Sequence, residues 1–501
     1  MEWPLRDGVI VALASAAASI VLVHVTRRVA AARGWTAPVR GDRWHKEATP
    51  LFGGVAIALA FGLAIAFARG IFESFRDASG SHAALTLALI GGALLAGAVG
   101  LLDDLLHFRP STKLSAQIAC ACVFLWGCGG IGITGNAALD TTIEILWIVG
   151  LMNALNMLDN MDGVAATAAT VALAGFAVAS ALAGGGVLLI TVALAGAGAT
   201  AGFLAHNLPR ARIFMGDSGS LMLGFLVAAL TLLGAAVTDD AHEGARGGVL
   251  AALVAALGFS FVPLLDMAVV SVTRVRRGQS PMTGGRDHTT HRLATRGWSG
   301  WGVVALVACV ALGAAAIAVA ATARFMVMSV AAVFLCLAFA GLAASLVRMA
   351  IRMDTAAHFG AADRSHRRAA WEPFAKAALD LALIALSLFV GYLVRWGWQV
   401  PPELANSVGW SLPVTIACCV AVNSGVGDYW RQWHQSGMRG AVRAALAALG
   451  GALLSMVLVA ALWTPDRLFS RLAMAAFALA YPLLVFAVRL AVLSRARSPR
   501  M

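Results

Sequence analysis

The sequence predicts an all-α, polytopic membrane protein with about fifteen transmembrane helices. Hydrophobic residues make up 60% of the 501 residues and charged residues only 12%, about half the charged share of soluble domains. Apolar runs of about 20 residues recur along the whole chain, and each is long enough to cross a bilayer as a helix. Alternating strand patterns are absent from the sequence, which argues against a membrane β-barrel.

The predicted helices fall into two groups, about eleven before a long polar segment and about four after it. The first group lies near residues 8–26, 52–69, 83–102, 114–130, 142–158, 164–183, 186–204, 220–238, 248–273, 301–321 and 324–346. The second group lies near residues 376–396, 411–427, 441–463 and 468–492. We therefore expect a membrane domain at 1–346, a cytoplasmic linker at 347–372 and a four-helix membrane domain at 373–501.

Basic residues collect in the loops that this helix assignment places on one side of the membrane. These loops follow the first, ninth, eleventh and last helices, and they include Arg27, Arg274, Arg348 and Arg495. Because cytoplasmic loops carry an excess of Lys and Arg, that side is predicted to be the cytoplasm, with the N-terminus outside. The loops account for the net charge of +12, so we expect contact with membrane lipid and no nucleic acid partner.

Five polar clusters interrupt the apolar pattern, and the helix assignment places all five at the cytoplasmic face. The clusters are residues 43–54, 101–113, 153–163, 206–220 and 280–292. Polar groups scattered at random would occur on both faces, so this grouping predicts one cytoplasmic functional site.

The second cluster contains two adjacent acids, Asp103 and Asp104, at a helix end, followed by Lys113. Adjacent carboxylates repel each other, and at a membrane boundary they also cost desolvation free energy. A divalent cation would relieve both costs. A solvated helix end without a ligand is the alternative for this pair alone.

The third cluster has an amide or an acid at every third residue, namely Asn153, Asn156, Asp159 and Asp162. In an ideal helix each step of three drifts back by about 60°, so these four side chains would cover about half the circumference. A tightened 3₁₀ turn, or an unwound end before Gly163, would align them better. Packing is a poor explanation for four such groups at the mouth of an apolar helix.

The last two clusters carry further candidate ligands. Asp217 lies in the glycine-rich run 214–220 and precedes an apolar helix, whose first amides can bind a phosphate. A helix cap with a tight turn is the alternative. His288 and His291 share a face if their segment is helical, and together with Arg292 they suit a pyrophosphate. A purely structural basic loop is the alternative there.

Magnesium fits these groups better than zinc or calcium does, with Mn²⁺ as an alternative. Mg²⁺ takes one or two carboxylates, several waters and substrate phosphates rather than a full protein cage. No third zinc ligand stands at a typical spacing beside the histidines, and none of the seven cysteines has metal-site spacing. The implied chemistry is a phosphoryl-type transfer, in which the protein positions groups and neutralises charge.

In this order, the clusters resemble the polyprenyl-phosphate N-acetylhexosamine-1-phosphate transferase family, glycosyltransferase family 4, over roughly residues 1–345. The resemblance rests on Arg43–Gly54, Asp103–Asp104 with Lys113 and Gln117, Asn153–Gly163, Asn207–Ser220, Pro263 with Asp266, and His288 with His291–Arg292. It implies a Mg²⁺-dependent enzyme of the bacterial inner membrane. Such an enzyme moves a sugar-1-phosphate from a UDP-N-acetylhexosamine to undecaprenyl phosphate, releases UMP, and so starts a cell-surface glycan.

The resemblance also implies roles for individual residues. Asp217 and Asp104 look like metal ligands. Asp103 and Asp104 look like the pair that handles the lipid phosphate, by deprotonating it or by holding metal, and Asp162 joins the catalytic set. Phe214 would stack on uracil. The other implied substrate-binding residues are Thr49, Lys113, Asn153, Asn156, Asp159, His288, His291 and Arg292.

Two residues depart from the family pattern. Asn160 stands where the family commonly has glycine, and Thr290 stands where many members have another histidine. The triple-histidine signature of the peptidoglycan-precursor branch is also missing. Its absence argues against a UDP-MurNAc-pentapeptide donor and favours a UDP-N-acetylhexosamine such as UDP-GlcNAc.

The C-terminal part resembles a different family. Asp380–Arg395, Pro401–Pro402, Tyr429–Arg431 and the last helix ending at Arg495 are similar to the membrane anchor of nucleotide-sugar epimerase/dehydratase proteins. In that family a dinucleotide-binding catalytic domain follows the anchor, and the sequence to Met501 contains none. We therefore expect an anchor without its enzyme, acting as a docking module. Additional helices with no such role are the alternative.

Two other functions are alternatives to the transferase. A transporter or flippase for a lipid-linked sugar would place ionisable residues at mid-membrane depth, whereas the acids here cluster at predicted helix ends. A scaffold that recruits glycan enzymes is the other alternative, and it could apply to residues 373–501 alone. A homodimer is compatible with the sequence.

Overall fold

A computed structural model of the chain forms two compact units, Met1–Phe325 and Met326–Met501. The described residues are 3–37, 48–130, 136–240, 246–276, 285, 287–322, 437–461 and 471–497, with shorter stretches between 376 and 426. The predicted helix at 324–346 and the predicted linker at 347–372 lie outside the described residues.

The first unit is built from helices, with one small pair of strands. The helices are α1 (Trp3–Arg33), α2 (Gly53–Ile71), α3 (Glu73–Ser81), α4 (Ala83–Leu106), α5 (Pro110–Cys128), α6 (Ala137–Leu158), α7 (Val164–Leu182), α8 (Val187–Asn207), α9 (Gly216–Asp240), α10 (Arg246–Phe259), α11 (Phe261–Arg276), α12 (Thr289–Thr295) and α13 (Gly300–Thr322). Between α1 and α2, strands β1 (Thr36–Ala37) and β2 (Thr49–Pro50) pair antiparallel.

Ten helices among the described residues are long and apolar enough to cross a membrane, or eleven if α10 and α11 form one broken span. This finding confirms the predicted all-α, multi-pass membrane fold. The total of about fifteen spans stays a prediction, because several of the predicted helices lie wholly or partly outside the described residues.

Among the differences between the predicted helices and the structure, two affect the site. The single helix predicted at 248–273 is broken into α10 and α11, which are bent by 72° around Ser260. Pro263 lies in the first turn of α11 and has no amide hydrogen for the Phe259 carbonyl, so a continuous helix would lose a bond there. The helix predicted at 220–238 begins earlier, at Gly216. Asp217 therefore lies inside the first turn of α9 rather than before the helix.

Local sequence explains several helix ends near the site. Helix α5 begins at Pro110, a position where a missing amide hydrogen costs nothing. Helix α6 is capped by the Asn136 side chain, which accepts hydrogen bonds from Ala138 N and Leu139 N. At its other end α6 stops at Leu158, and residues 159–163 form turns. The structure therefore has the unwound end that was one of the two predicted alternatives.

Helix α9 is the central helix of the first unit and packs against α2, α4, α6 and α10. Within its most apolar stretch, 89% of the residues are buried. A Cβ atom added at Gly54 of α2 would lie 2.0 Å from the Gly219 nitrogen. Only glycine permits two backbones to approach so closely. This contact fixes the start of α2 against the first turns of α9.

The second unit contains α14 (Gly437–Ala461) and α15 (Arg471–Arg497), which pack against each other. They lie where the sequence predicted helices at 441–463 and 468–492. The buried Tyr481 hydroxyl donates a hydrogen bond to Asp380. Asn423 Nδ2 donates to Asp380 Oδ2 at 2.9 Å and to the Tyr481 oxygen at 2.8 Å. This buried polar contact ties separate helical segments together, and the resemblance to a dehydratase anchor stays a prediction.

Candidate active site

One lysine joins the polar ends of α4, α5, α6 and α9. Lys113 Nζ lies 2.9 Å from Asp103 Oδ2 and 2.5 Å from Asp217 Oδ2. The same ammonium donates to Asn156 Oδ1 at 3.0 Å. We call Asp103, Lys113, Asn156 and Asp217 the acid–lysine cluster. A cation held between two carboxylates offsets their mutual repulsion, so the cluster is compact despite its burial.

Asn156 holds the Asp217 side chain from the opposite side. Its Nδ2 donates to Asp217 Oδ1 at 2.7 Å and to Ser220 Oγ at 2.8 Å. Ser220 is fully buried and its hydroxyl lies 3.1 Å from the Gly216 carbonyl oxygen. Both oxygens of Asp217 are thus directed by donors from other helices, which fixes the carboxylate in one orientation.

Asp104 anchors the start of α9. Its two carboxylate oxygens accept hydrogen bonds from Asp217 N at 3.0 Å and Ser218 N at 3.1 Å. The first amides of a helix have no partner within the helix, and a carboxylate there is also stabilised by the helix dipole. Asp104 therefore positions the backbone that carries Asp217. Its predicted role as a metal ligand stays a prediction.

The acidic turn, Asp159–Gly163, lies beside this cluster. Burial raises the pKa of the Asp159 carboxyl to about 7, and the negative charges of Asp217 and Asp104 add to that rise. Asp162 Oδ2 accepts a hydrogen bond from Ala211 N at 2.9 Å. The turn therefore brings a carboxyl group that titrates near neutral pH to the site, and it holds the loop between α8 and α9.

The histidine segment, Asp287–Arg292, packs on the acidic turn and on α11. His288 Nδ1 lies 2.8 Å from Asp266 Oδ2, and Thr289 donates to Asp266 Oδ1 through both its backbone N and its hydroxyl. Thr290 and His291 contact Asn160 of the acidic turn. Asp266 thus fixes one end of the segment and Asn160 fixes the other.

Arg292 lies at the far side of the histidine segment. Its Nε donates to the Asp287 carbonyl oxygen at 2.6 Å, and its Nη2 donates to Thr273 Oγ1 at 3.1 Å. Asp287 also pairs with Arg274 at 2.7 Å. Burial acts to raise the pKa of Asp287, but hydrogen bonds and charge from Arg274 outweigh it and lower that pKa. These contacts tie the segment to α11.

The remaining two predicted site residues lie on neighbouring backbone segments. Thr49 is buried in β2. The next residue, Pro50, accepts a hydrogen bond from Phe214 N at 2.9 Å, and Gly53 N donates back to the Phe214 carbonyl at 2.9 Å. The described parts of all five polar clusters are therefore connected by hydrogen bonds.

Comparison with known proteins assigns the family. A family model described as glycosyl transferase family 4 matches residues 86–235. A decaprenyl-phosphate N-acetylglucosaminephosphotransferase of Mycobacterium tuberculosis is 32% identical over 341 residues, covering 62% of this chain and 83% of that protein. The chain belongs to glycosyl transferase family 4. The matched segment contains the whole acid–lysine cluster, so the site lies in the part of the chain that carries the family pattern.

Other family 4 relatives have different names. A probable undecaprenyl-phosphate N-acetylglucosaminyl 1-phosphate transferase of Bacillus subtilis is 26% identical, over 56% of this chain and 75% of that protein. A phospho-N-acetylmuramoyl-pentapeptide-transferase of Synechococcus is 33% identical, over 58% of this chain and 83% of that protein. The relatives thus include two kinds of sugar-phosphate transferase.

The family 4 site has the charge that a divalent cation would balance. Several carboxylates face one ammonium, and the Asp159 pKa is raised to about 7 by burial and by its acidic neighbours. Among the described residues, no three or more His, Cys, Asp or Glu side chains are arranged as a metal-binding group. Mg²⁺ needs only one or two carboxylates beside waters and substrate phosphates. The residues present therefore fit Mg²⁺, with Asp217, whose side chain is 29% exposed, as the more accessible carboxylate of the cluster.

One predicted substrate-binding residue of the family 4 site makes its contacts within the protein. Asn153 Nδ2 donates to Gln117 Oε1 at 2.8 Å and to the Val149 carbonyl oxygen at 2.8 Å. Gln117 is fully buried. Gln117 lies about one turn after Lys113 on α5, and Asn153 lies about one turn before Asn156 on α6. The described contacts of this amide pair hold the two helices in register.

Sequence reasoning assigned no contact role to Asn160 or Ser220. Asn160 was noted only as a departure from the family pattern, yet it contacts two residues of the histidine segment. Ser220 follows Asp217 by three residues, a spacing that places both on one helix face once the helix is known to start at Gly216. That spacing was the signal available in the sequence, and the wrong helix start concealed it.

Proposed function

We propose that this family 4 chain transfers N-acetylglucosamine-1-phosphate from UDP-GlcNAc to a polyprenyl phosphate in the membrane and releases UMP. The observation that carries the proposal is the acid–lysine cluster, in which two acids, a lysine and an amide from four helices meet inside the family-matched segment. The names of the Mycobacterium and Bacillus relatives support the same reaction. We take undecaprenyl phosphate as the carrier.

The reaction joins two phosphates. An oxygen of the carrier phosphate attacks the β-phosphorus of UDP-GlcNAc, and the bond from that phosphorus to the oxygen shared with the α-phosphate breaks. The electron pair leaves with UMP, and the product is a sugar linked to the lipid by a diphosphate. Asp103 is the acid nearest Lys113 besides Asp217, so it is placed to accept a proton from the carrier phosphate while Lys113 neutralises phosphate charge.

A divalent cation completes the proposed charge balance. Asp217, with Asp103 or Asp104, would hold Mg²⁺, or Mn²⁺ in its place. When bound, the cation supplies positive charge to the diphosphate oxygens. Asn156 keeps Asp217 oriented through the 2.7 Å hydrogen bond to Oδ1, and Asp104 keeps the first turn of α9 in place.

The proposed location is the cytoplasmic face of a bacterial plasma membrane. The described parts of the five clusters lie at helix ends that hydrogen bonds connect, and basic residues stand at the last turn of α1, Arg33, and near the end of α11, Arg274. Cytoplasmic loops are enriched in Lys and Arg. The site would then face the compartment in which a UDP-sugar is present, and the N-terminus would lie outside.

The direct test is transfer by the purified protein in detergent. Radiolabelled UDP-GlcNAc and undecaprenyl phosphate should give a labelled lipid and an equal amount of UMP. UMP release in detergent separates a transferase from a flippase, because transport has no meaning without two compartments. UDP-N-acetylgalactosamine and UDP-MurNAc-pentapeptide should be included as competing donors. Failure to release UMP from any donor would contradict the proposed reaction.

Removal of divalent cations should lower the transfer rate by at least about 100-fold, since a metal supplies several kcal/mol of charge stabilisation. The measurement is UMP release in EDTA, followed by addition of Mg²⁺ or Mn²⁺, which should restore the rate. Mg²⁺ should also raise the melting temperature of the wild-type protein but not that of Asp217→Asn. Full activity in EDTA would exclude a metal role for this site.

A further inference from the structure

Helices α1 and α8 run parallel and pack with their backbones almost in contact. Ser15 Oγ donates to the Ala195 carbonyl oxygen at 2.8 Å, and one turn later Ser19 Oγ donates to the Ala199 carbonyl oxygen at 2.6 Å. A Cβ atom added at Gly198 would lie 2.1 Å from a carbonyl oxygen of α1. Because only glycine allows this approach, the two helices form a tight pair. The turns that follow therefore bring side chains of both helices together.

His206, in the last turn of α8, makes the next contact between the two helices. Its Nε2 lies 3.2 Å from the Ile20 carbonyl oxygen of α1. Because a carbonyl oxygen only accepts, Nε2 carries the hydrogen, and Nδ1 of the neutral ring is an acceptor. Nδ1 is buried and has no hydrogen-bond partner among the described residues. A buried polar atom without a partner costs free energy, so the protein's own described groups leave this place incomplete.

Three further basic side chains lie around His206. The ring centroid of His24 on α1 is 6.2 Å from that of His206. Arg27 follows His24 by three residues and shares its face of α1, and both Arg27 and Arg212 act on the His206 ring electrostatically. The Arg212 backbone N donates to the His206 carbonyl oxygen at 2.8 Å, which holds Arg212 at the end of α8. We call these four residues the basic cluster.

No acid balances the basic cluster within the part of the chain that the structure describes. The side chains with the largest electrostatic effect on His206 are all basic. The ion pairs between described residues include neither Arg27 nor Arg212. Like charges that are held together at a membrane boundary repel each other. A bound anion would offset this repulsion, much as Lys113 does for the acids of the acid–lysine cluster.

Exposed apolar side chains adjoin the basic cluster on both helices. Val21 precedes His24 by three residues and shares its face of α1, and Val25 follows His24 directly. On α8, Ala205 precedes His206 and is also exposed. Exposed apolar residues of a membrane-spanning helix face lipid chains. A ligand that suits this place therefore combines a negative head with apolar chains, and a free phosphate ion has only the first.

We propose that the basic cluster binds the phosphodiester headgroup of an anionic phospholipid, with the acyl chains along the exposed Val21 face of α1. Basic pockets between membrane helices bind such headgroups, and each Lys or Arg near the membrane surface contributes about fivefold in affinity. The bound lipid joins α1 to the loop after α8. It is neither the donor nor the carrier of the proposed reaction, so the inference does not rest on transferase activity.

The test is a titration of the purified protein in neutral detergent with phosphatidylglycerol, with bound lipid counted by native mass spectrometry. Without a charged bilayer, general attraction of basic loops to the membrane surface does not contribute. Arg27→Gln and Arg212→Gln should each weaken binding about fivefold, and the double variant should bind more weakly than either. The matched control is Arg28→Gln, which removes the same charge from the next position of α1 and should weaken binding less than about twofold.

Comparison ligands decide between lipid and free phosphate. Phosphatidylcholine, whose headgroup has no net charge, should bind wild-type protein at least about tenfold more weakly than phosphatidylglycerol. Excess inorganic phosphate should displace phosphatidylglycerol no better than sodium chloride at the same ionic strength does. Equal binding of the two lipids, equal losses in Arg27→Gln and Arg28→Gln, or specific displacement by phosphate would each overturn the proposal.

Two more ligands separate this site from the candidate active site. Neither UDP-GlcNAc nor an equimolar amount of undecaprenyl phosphate should displace phosphatidylglycerol. Displacement by either would assign the basic cluster to that substrate and overturn the proposal.

Melting temperatures show whether the variants fold. Without added lipid, Arg27→Gln and Arg212→Gln should melt close to wild type. Phosphatidylglycerol should raise the melting temperature of wild type more than that of either variant, and equal increases would contradict the site. The Arg212 side chain is exposed, so Arg212→Gln carries the test if Arg27→Gln does not fold.

Discussion

Replacing Asp217 with asparagine should lower kcat for sugar-phosphate transfer by about 10³-fold or more. The carboxylate pairs with Lys113 at 2.5 Å and accepts from Asn156 at 2.7 Å. An amide at this position removes one negative charge and places an NH₂ group against one of these two donors. The loss of a charged group at a phosphoryl-transfer site removes several kcal/mol of stabilisation, and each 1.36 kcal/mol is about tenfold in rate. The measurement is single-turnover transfer of labelled sugar phosphate.

Asp104→Asn should have a smaller effect, about 10²-fold, because the Asp104 oxygens accept from the Asp217 and Ser218 backbone amides and act through position. The matched control is Asp140→Asn, which removes another buried carboxylate from α6. Asp140 lies about 24 Å along the helix from Asn156, so its loss should change kcat less than about threefold. Equal rates in Asp217→Asn and wild type would refute the assignment of the site.

The candidate site was largely predictable because its residues interrupt a simple background. In a chain of apolar helices, a carboxylate or amide at a helix end stands out, and Asp103, Asn156 and Asp217 were identified on that ground. The helix pattern and the basic loops then predicted that these ends lie on one side. Both arguments use only local sequence and the properties of the bilayer.

The contacts inside the site were not predictable in the same way. Asp104 accepts hydrogen bonds from residues more than 100 positions away along the chain, and no local pattern reports such a pairing. The start of α9 depends on that contact, so the predicted helix began too late. The break between α10 and α11 was missed because the run 248–273 is long and mostly apolar, and Pro263 within it was not taken as a helix break. The apolar composition of such a segment predicts that it enters the membrane, but it does not predict where the helix bends.

Substituting alanine for Gly100 should disable the enzyme although Gly100 has no chemical group to contribute. A Cβ atom at Gly100 of α4 would lie 2.2 Å from the Asp217 carbonyl oxygen and 2.6 Å from Ser218 Cα. Atoms do not approach so closely, and the obstacle is backbone rather than a flexible side chain. The first turn of α9 would have to move by about 1 Å, and a displacement of that size at a catalytic group costs about 10²-fold in rate.

The same helix offers a control for this prediction. A Cβ atom at Gly91 of α4 would meet only Leu87 Cδ1, at an ordinary 3.7 Å. Gly91→Ala should therefore keep wild-type activity, and it should gain up to about 1 kcal/mol of stability because alanine favours a helix. The comparison requires kcat and the melting temperature of both variants in detergent. If Gly100→Ala kept wild-type kcat, the first turns of α9 would not lie as close to α4 as the structure has them. The close packing of α4 and α9, which brings Asp104 to the Asp217 backbone, would then be incorrect.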